Sequence, residues 1–95
     1  MQSKAQTYLG FCRRAGKLTL GVNAARAVRE RVYLLVADCT ASENCKKEIA
    51  KLARKFGCPV VWTQDLAQAV GKEACKLAAV REEHLAAALC RELEE

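Results

Sequence analysis

The stretch richest in chemical possibility is AGKLTLGVNAAR, residues 15–26. Gly16 and Gly21 bracket a short apolar run, with Lys17 inside it, Arg13 and Arg14 just upstream and Arg26 at its end. Glycine has no Cβ, so the backbone can come close to a ligand there. Asn23 is suited to cap a helix N-terminus. Free backbone N–H groups at a helix start, surrounded by cations, make a place for an anion. The two glycines do not form a glycine-rich fingerprint between a long strand and a helix, so there is no phosphate-binding loop of the nucleotide-binding kind.

Other reactive residue types are scattered. Asp38 ends an apolar run, a position where α/β catalysis often sits, yet without a catalytic partner it reads as a cap on the following turn. His84 stands next to Glu82 and Glu83 and reads as a surface residue. Of the six cysteines (Cys12, Cys39, Cys45, Cys58, Cys75, Cys90), no two lie within three residues of each other, and there is one histidine. That spacing gives neither a local zinc quartet nor a disulfide framework, so free thiols and no metal are expected. Cys45 is the one candidate nucleophile. Beside Lys46 and Lys47 in the first turn of a helix, its thiolate would be favoured, whereas the helical wheel offers it as packing.

These residues need a scaffold. Ala5, Tyr8, Leu9 and Cys12 recur at helical spacing, and the helix should stop at Ala15-Gly16. Residues 17–20 are a strand stub. A helix of about two turns, capped by Asn23, should follow through Arg31. VYLLVAD (32–38) reads as a strand covered on both faces. Thr40 and Glu43 have capping-box spacing, opening a helix with an apolar stripe of Cys45, Ile49, Leu52, Ala53 and Phe56. Lys46, Lys47, Lys51, Arg54 and Lys55 face outward, and Gly57 ends it. PVVW (59–62) is a second buried strand, completing a parallel βαβ unit, with Trp62 at the rim of the sheet. Asp65 and Gln68 open a short helix ending at Gly71. Residues 77–80 form a further strand, and Leu85, Leu89 and Leu93 share one side of a last helix with an acidic end. The expected architecture is one domain over residues 1–95, a three-layer α/β/α sandwich around a small mixed four-stranded sheet.

Composition agrees. The hydrophobic fraction of 52% and charged fraction of 28% are those of a globular chain. No apolar run is long enough for a membrane span, and residues 1–4 do not read as a signal peptide, so a cytoplasmic location is expected. Of the net charge of +5, residues 1–31 carry +6 and residues 32–95 carry −1. Such segregation reads as a basic footprint for nucleic acid, with Arg13, Arg14, Lys17 and Arg26 lining one surface.

Three stretches, LGFCRRAGKLTLGVNAAR, LLVADCTASENCKKEIAKLARKFGCPV and AVGKEACKLAAV, resemble the ribosomal protein L-seven-Ae family, and its small bacterial YlxQ-type members most. The likeness runs from Tyr8 to about Leu93. It implies an α/β/α sandwich that binds structured RNA, typically a kink-turn with tandem sheared G·A pairs, with no catalysis and no cofactor. In that family the helix after the LG glycine enters the RNA groove, and a loop after the GKEA stretch packs on a flipped-out base. By position, the resemblance assigns Gly21, Val22 and Asn23 to the reading helix, Lys17 to the stub before it, and Glu73, Ala74, Cys75 and Lys76 to the loop.

The expected function is therefore non-enzymatic binding of structured RNA, ribosomal RNA among the targets, by a monomer with no small-molecule substrate, cofactor or membrane partner. Two alternatives stay open: a protein-binding adaptor of the same fold, and a thiol sensor acting through Cys45. In the family's stronger kink-turn binders an Asn-Glu pair and a later Lys read the bases. Asn23 matches, but Ala24 and Ala27 occupy the other two positions, which implies weaker discrimination.

Overall fold

The computed structural model of the chain describes residues 4–72 and 74–93. In chain order they form α1 (Lys4–Arg14), β1 (Leu18–Leu20), α2 (Val22–Arg26), β2 (Leu34–Asp38), α3 (Glu43–Phe56), β3 (Val60–Thr63), α4 (Leu66–Val70), β4 (Leu77–Val80) and α5 (Glu83–Leu93). The sheet order is β1-β4-β2-β3. β2 and β3 are parallel across α3, while β4 runs antiparallel to both β1 and β2. The mixed four-stranded α/β sandwich read from the sequence is the fold observed.

Alternation along the central strands splits the core in two. Leu34, Val36, Ala78 and Val80 face one side and pack with Leu9 and Cys12 of α1, Leu66 and Val70 of α4, and Leu89 of α5. Leu35, Ala37, Leu77 and Ala79 face the other side, against Ala25 of α2 and Ile49 and Leu52 of α3. Both faces of β2 and β4 are buried, which is why LAAV and the first four residues of LLVAD are apolar. Each fully buried Leu, Ile or Val contributes about 1.5–3 kcal/mol. Burial also pushes the Cys12 and Cys58 thiols up from their ordinary pKa.

The helix ends depart from the sequence reading in detail. Ser42, not Thr40, caps α3, its Oγ accepting the Cys45 N–H at 3.1 Å; Thr40 is engaged with Asp38 instead. α2 is five residues long, not two turns, and its N-cap is Gly21. Asn23 falls inside the helix, where its Oδ1 accepts from Arg26 at 3.4 Å. Gly57 closes α3 in the left-handed conformation at φ 62°, as a C-terminal glycine should. Gly71 does the same for α4 at φ 73°. Glu82 caps α5, its Oε2 accepting the Leu85 N–H at 2.6 Å. That bond, with His84 adding to it, holds the Glu82 carboxyl below its usual range despite the opposing cost of desolvation. Within the final stripe Leu89 is buried and Leu85 half-buried; residues 94 and 95 lie outside the described residues.

Candidate nucleic-acid interface

The strand directions bring the ends of β1, β2 and β3 and the start of β4 to one end of the sheet. That end gathers Gly21 and the start of α2, the turn 39–42, the start of α4 and residues 74–76. Main-chain bonds tie these segments together. The Gly21 N–H donates to the Leu77 carbonyl at 2.8 Å, the Asp38 N–H to the Lys76 carbonyl at 2.9 Å, and the Cys39 N–H to the Thr63 carbonyl at 2.9 Å. Gly21 takes φ 95° and ψ 151°, a conformation an L side chain rarely adopts. This is why a glycine must turn β1 into α2.

Asp38 is the pin of this end. Its side chain is buried, with 3% exposure for the residue. Oδ1 accepts the Thr40 N–H at 2.8 Å and the Thr40 hydroxyl at 2.6 Å, and Oδ2 accepts the Leu66 N–H at 3.1 Å. One carboxylate thus shapes the turn after β2 and caps α4. Burial opposes its ionisation, but the Thr40 and Leu66 hydrogen bonds and the Lys76 charge together outweigh that cost and hold its pKa below the usual range. Lys76 Nζ in turn meets Thr40 Oγ1 at 2.8 Å. The result is an exposed cation held over a rigid turn, beside the start of α2.

The residues expected to make the site are not all here. Gly21, Val22, Asn23, Ala74 and Lys76 meet at this end, and Asn23, Ala74 and Lys76 are exposed. Cys75 is a correction. It is buried at 6% exposure, packed in the α1-side core with its thiol donating to the Leu77 carbonyl at 3.3 Å, so its side chain cannot pack on a base. Glu73 lies outside the described residues. Lys17 stands before β1, at the opposite end of the sheet. Its carbonyl accepts the Arg81 N–H at 2.8 Å.

The single basic surface is a second correction. Arg14 belongs to the α1 layer and Arg26 to the α2 layer, on opposite faces of the sheet. Arg13 donates through Nη1 to the Val70 carbonyl. Arg26 is paired with Glu48 of α3 at 2.5 Å. The Arg26 hydrogen bond, with Lys51 beside it, holds the Glu48 carboxyl below its usual range against desolvation. Counting charge along a chain does not separate two sides of a sheet.

Sequence reasoning missed Arg81. At the far end it reaches Glu30 through Nη1 at 2.8 Å and the Gly16 carbonyl through Nη2 at 2.7 Å. The signal was present: Glu30 is the lone acid among residues 1–31, and Arg81 directly follows a strand. All six cysteines are free. Cys45 is half-buried against the α3-side core. No group of three His, Cys, Asp or Glu among the described residues is arranged to hold a metal, and no described helix is long and apolar enough to cross a membrane.

The sequence matches no protein-family model and no curated protein. Solved structures do match. A Bacillus halodurans protein of unknown function superposes with a TM-score of 0.82 at 23% identity, over 99% of this chain and 100% of that one. The likeness fixes the fold. The 15.5kD RNA binding protein of Giardia lamblia shares it as well, with a TM-score of 0.69 at 14% identity, over 99% of this chain and 91% of that one.

Proposed function

We propose that this protein is a non-catalytic binder of structured RNA of the kink-turn type, and that the sheet end built on Gly21, Asn23, Ala74 and Lys76 is its RNA interface. The observation that carries the reading is the Gly21–Leu77 hydrogen bond, 2.8 Å long. It sets the start of α2 beside the loop that the L-seven-Ae resemblance gives to a flipped-out base. The shared fold of the Giardia RNA binding protein supports it.

With five residues, α2 is too short for a large macrodipole; it offers main-chain N–H groups without intrahelical acceptors. Lys76 adds a cation whose position the Thr40 hydroxyl holds. Main-chain donors and a lysine carry affinity for phosphate rather than sequence information. Discrimination rests on the bent shape of the RNA and on Asn23, because Ala24 and Ala27 supply no polar side chain and Arg26 is turned toward Glu48. Ribosomal RNA is the target class that the L-seven-Ae resemblance suggests.

The test is a charge reversal. Lys76→Glu should weaken binding of a kink-turn RNA by roughly tenfold or more, through a lost phosphate contact and a new repulsion. Lys51→Glu, on the outer face of α3 with Lys51 Nζ 3.6 Å from Glu48, is the matched control. Equal losses from both would mean diffuse electrostatics and no interface at the sheet end.

A further inference from the structure

We propose that the outer face of α1, centred on Phe11 and Arg14, is a second RNA contact, a platform on which an unpaired base next to the bound RNA stacks. This rests on the RNA-binding reading above and extends it to single-stranded RNA leaving the sheet end.

Phe11 is 46% exposed, although α1 buries Leu9 and Cys12 on its other side. The Arg14 guanidinium lies over the Phe11 ring, 5.0 Å from its centroid. Arg14 has no carboxylate partner among the described residues. No described carboxylate therefore offsets its charge, and the guanidinium already rests over an aromatic ring. An exposed ring beside a guanidinium is the pairing that stacks nucleobases without regard to sequence.

The surroundings select the partner. An open cleft of about 460 Å³ runs between α1 and α4, lined among others by Gly10, Arg13, Arg14, Val70 and Gly71. Gly10 has no side chain to fill it, and a Cβ there would meet nothing within 4 Å. Arg13 is anchored by the Val70 carbonyl, not by an acid, so it keeps its full charge. Every charged residue from Lys4 to Arg29 is positive. From Gly71 the chain passes exposed Lys72 and then Ala74–Lys76, the loop of the sheet end. Glu73 is the one acid in that connection. In sequence, then, the cleft residue Gly71 is followed within five positions by two exposed lysines, Lys72 and Lys76, so positive charge accompanies the chain from the cleft to the sheet end. A glutamate-rich peptide would satisfy the arginines but bring no flat group for the Phe11 ring, so RNA is favoured.

Fluorescence anisotropy with a blunt kink-turn RNA, the same RNA carrying a single-stranded adenosine tail, and oligoadenylate alone tests the proposal. The tail should raise wild-type affinity by about fivefold, a gain of the size that one stacked base gives. Phe11→Ala should abolish that ratio of tailed to blunt affinity, and Phe11→Tyr should retain it. Because Phe11 is exposed, the melting temperature of each variant checks that the fold is intact. A tail gain that survives Phe11→Ala, or no tail gain in the wild type with oligoadenylate indifferent to Phe11→Ala, overturns the proposal. So does a glutamate-rich peptide that shifts the Phe11 and Arg14 NMR resonances when oligoadenylate does not. If the blunt RNA fails to bind while oligoadenylate binding still depends on Phe11, the platform stands and the kink-turn reading falls.

Discussion

The amide of Gly21 donates to the carbonyl of Leu77 across 2.8 Å, where the last turn out of β1 meets the first residue of β4. A glycine at the start of one helix and a loop far along the chain thereby become a single surface. The bond exists because β1 and β4 are antiparallel neighbours, with Leu20 opposite Ala78.

Gly21→Ala should cost about 1–3 kcal/mol of stability, because φ 95° with ψ 151° strains any side-chain-bearing residue. The cost is backbone strain and not a clash, since a Cβ at this position would have nothing within 4 Å. Chemical denaturation of the variant measures it. Gly10→Ala, in the interior of α1 and equally uncrowded, should instead be neutral or stabilising by up to ~1 kcal/mol.

Asp38→Asn should destabilise the fold by about 1–3 kcal/mol, since an amide replaces one of two acceptor oxygens facing N–H and O–H donors. The pH dependence has a definite sign. The folded pKa of Asp38 is lowered, so its stabilisation is complete above the unfolded value of about 3.9 and is lost as pH falls through the folded value. The stability gap between wild type and variant should therefore be constant near neutrality and shrink on acidification below about pH 4. Urea unfolding across that range checks it.

Thiol reactivity should follow burial. Cys39 is exposed, while Cys12 and Cys75 are buried. Iodoacetamide followed by peptide mass spectrometry should label Cys39 first and leave Cys12 and Cys75 unlabelled until the protein unfolds, with or without RNA. Cys75→Glu should unfold the protein outright, because an unpaired carboxylate would enter the α1-side core.

The central βαβ unit was legible because its signals are local and agree with one another. LLVA is an unbroken apolar run before Asp38, Ile49, Leu52 and Phe56 fall on one helical face, and Gly57 stops the helix. The antiparallel pairing of β1 with β4 was not, since a three-residue stub beside LAAV carries too little alternation to set a register. Asn23 has the right chemistry for a cap, yet the cap fell to Gly21 because only glycine makes the turn. Of the candidate site, the α2 start and Lys76 were readable by position. The burial of Cys75, between exposed Ala74 and exposed Lys76, depends on tertiary packing that one small residue does not advertise. The separation of Arg14 from Arg26 by the sheet is likewise three-dimensional information.

The salt dependence of binding should be small. With Lys76 as the cation that the sheet end supplies, log K should fall against log salt with a slope of roughly −1. Arg26→Ala should leave that slope nearly unchanged, because Arg26 is already neutralised by Glu48.

The most direct measurement is a titration of one kink-turn RNA and its G·A-to-pyrimidine mutant against the wild-type protein at fixed salt. A side-chain contact to a base edge is worth ~1–3 kcal/mol of discrimination, and Ala24 and Ala27 forgo two of them. The predicted result is a preference for the intact kink-turn of more than about fivefold but less than about a hundredfold. Equal affinity for the two RNAs would contradict the claim that this sheet end reads a bent internal loop.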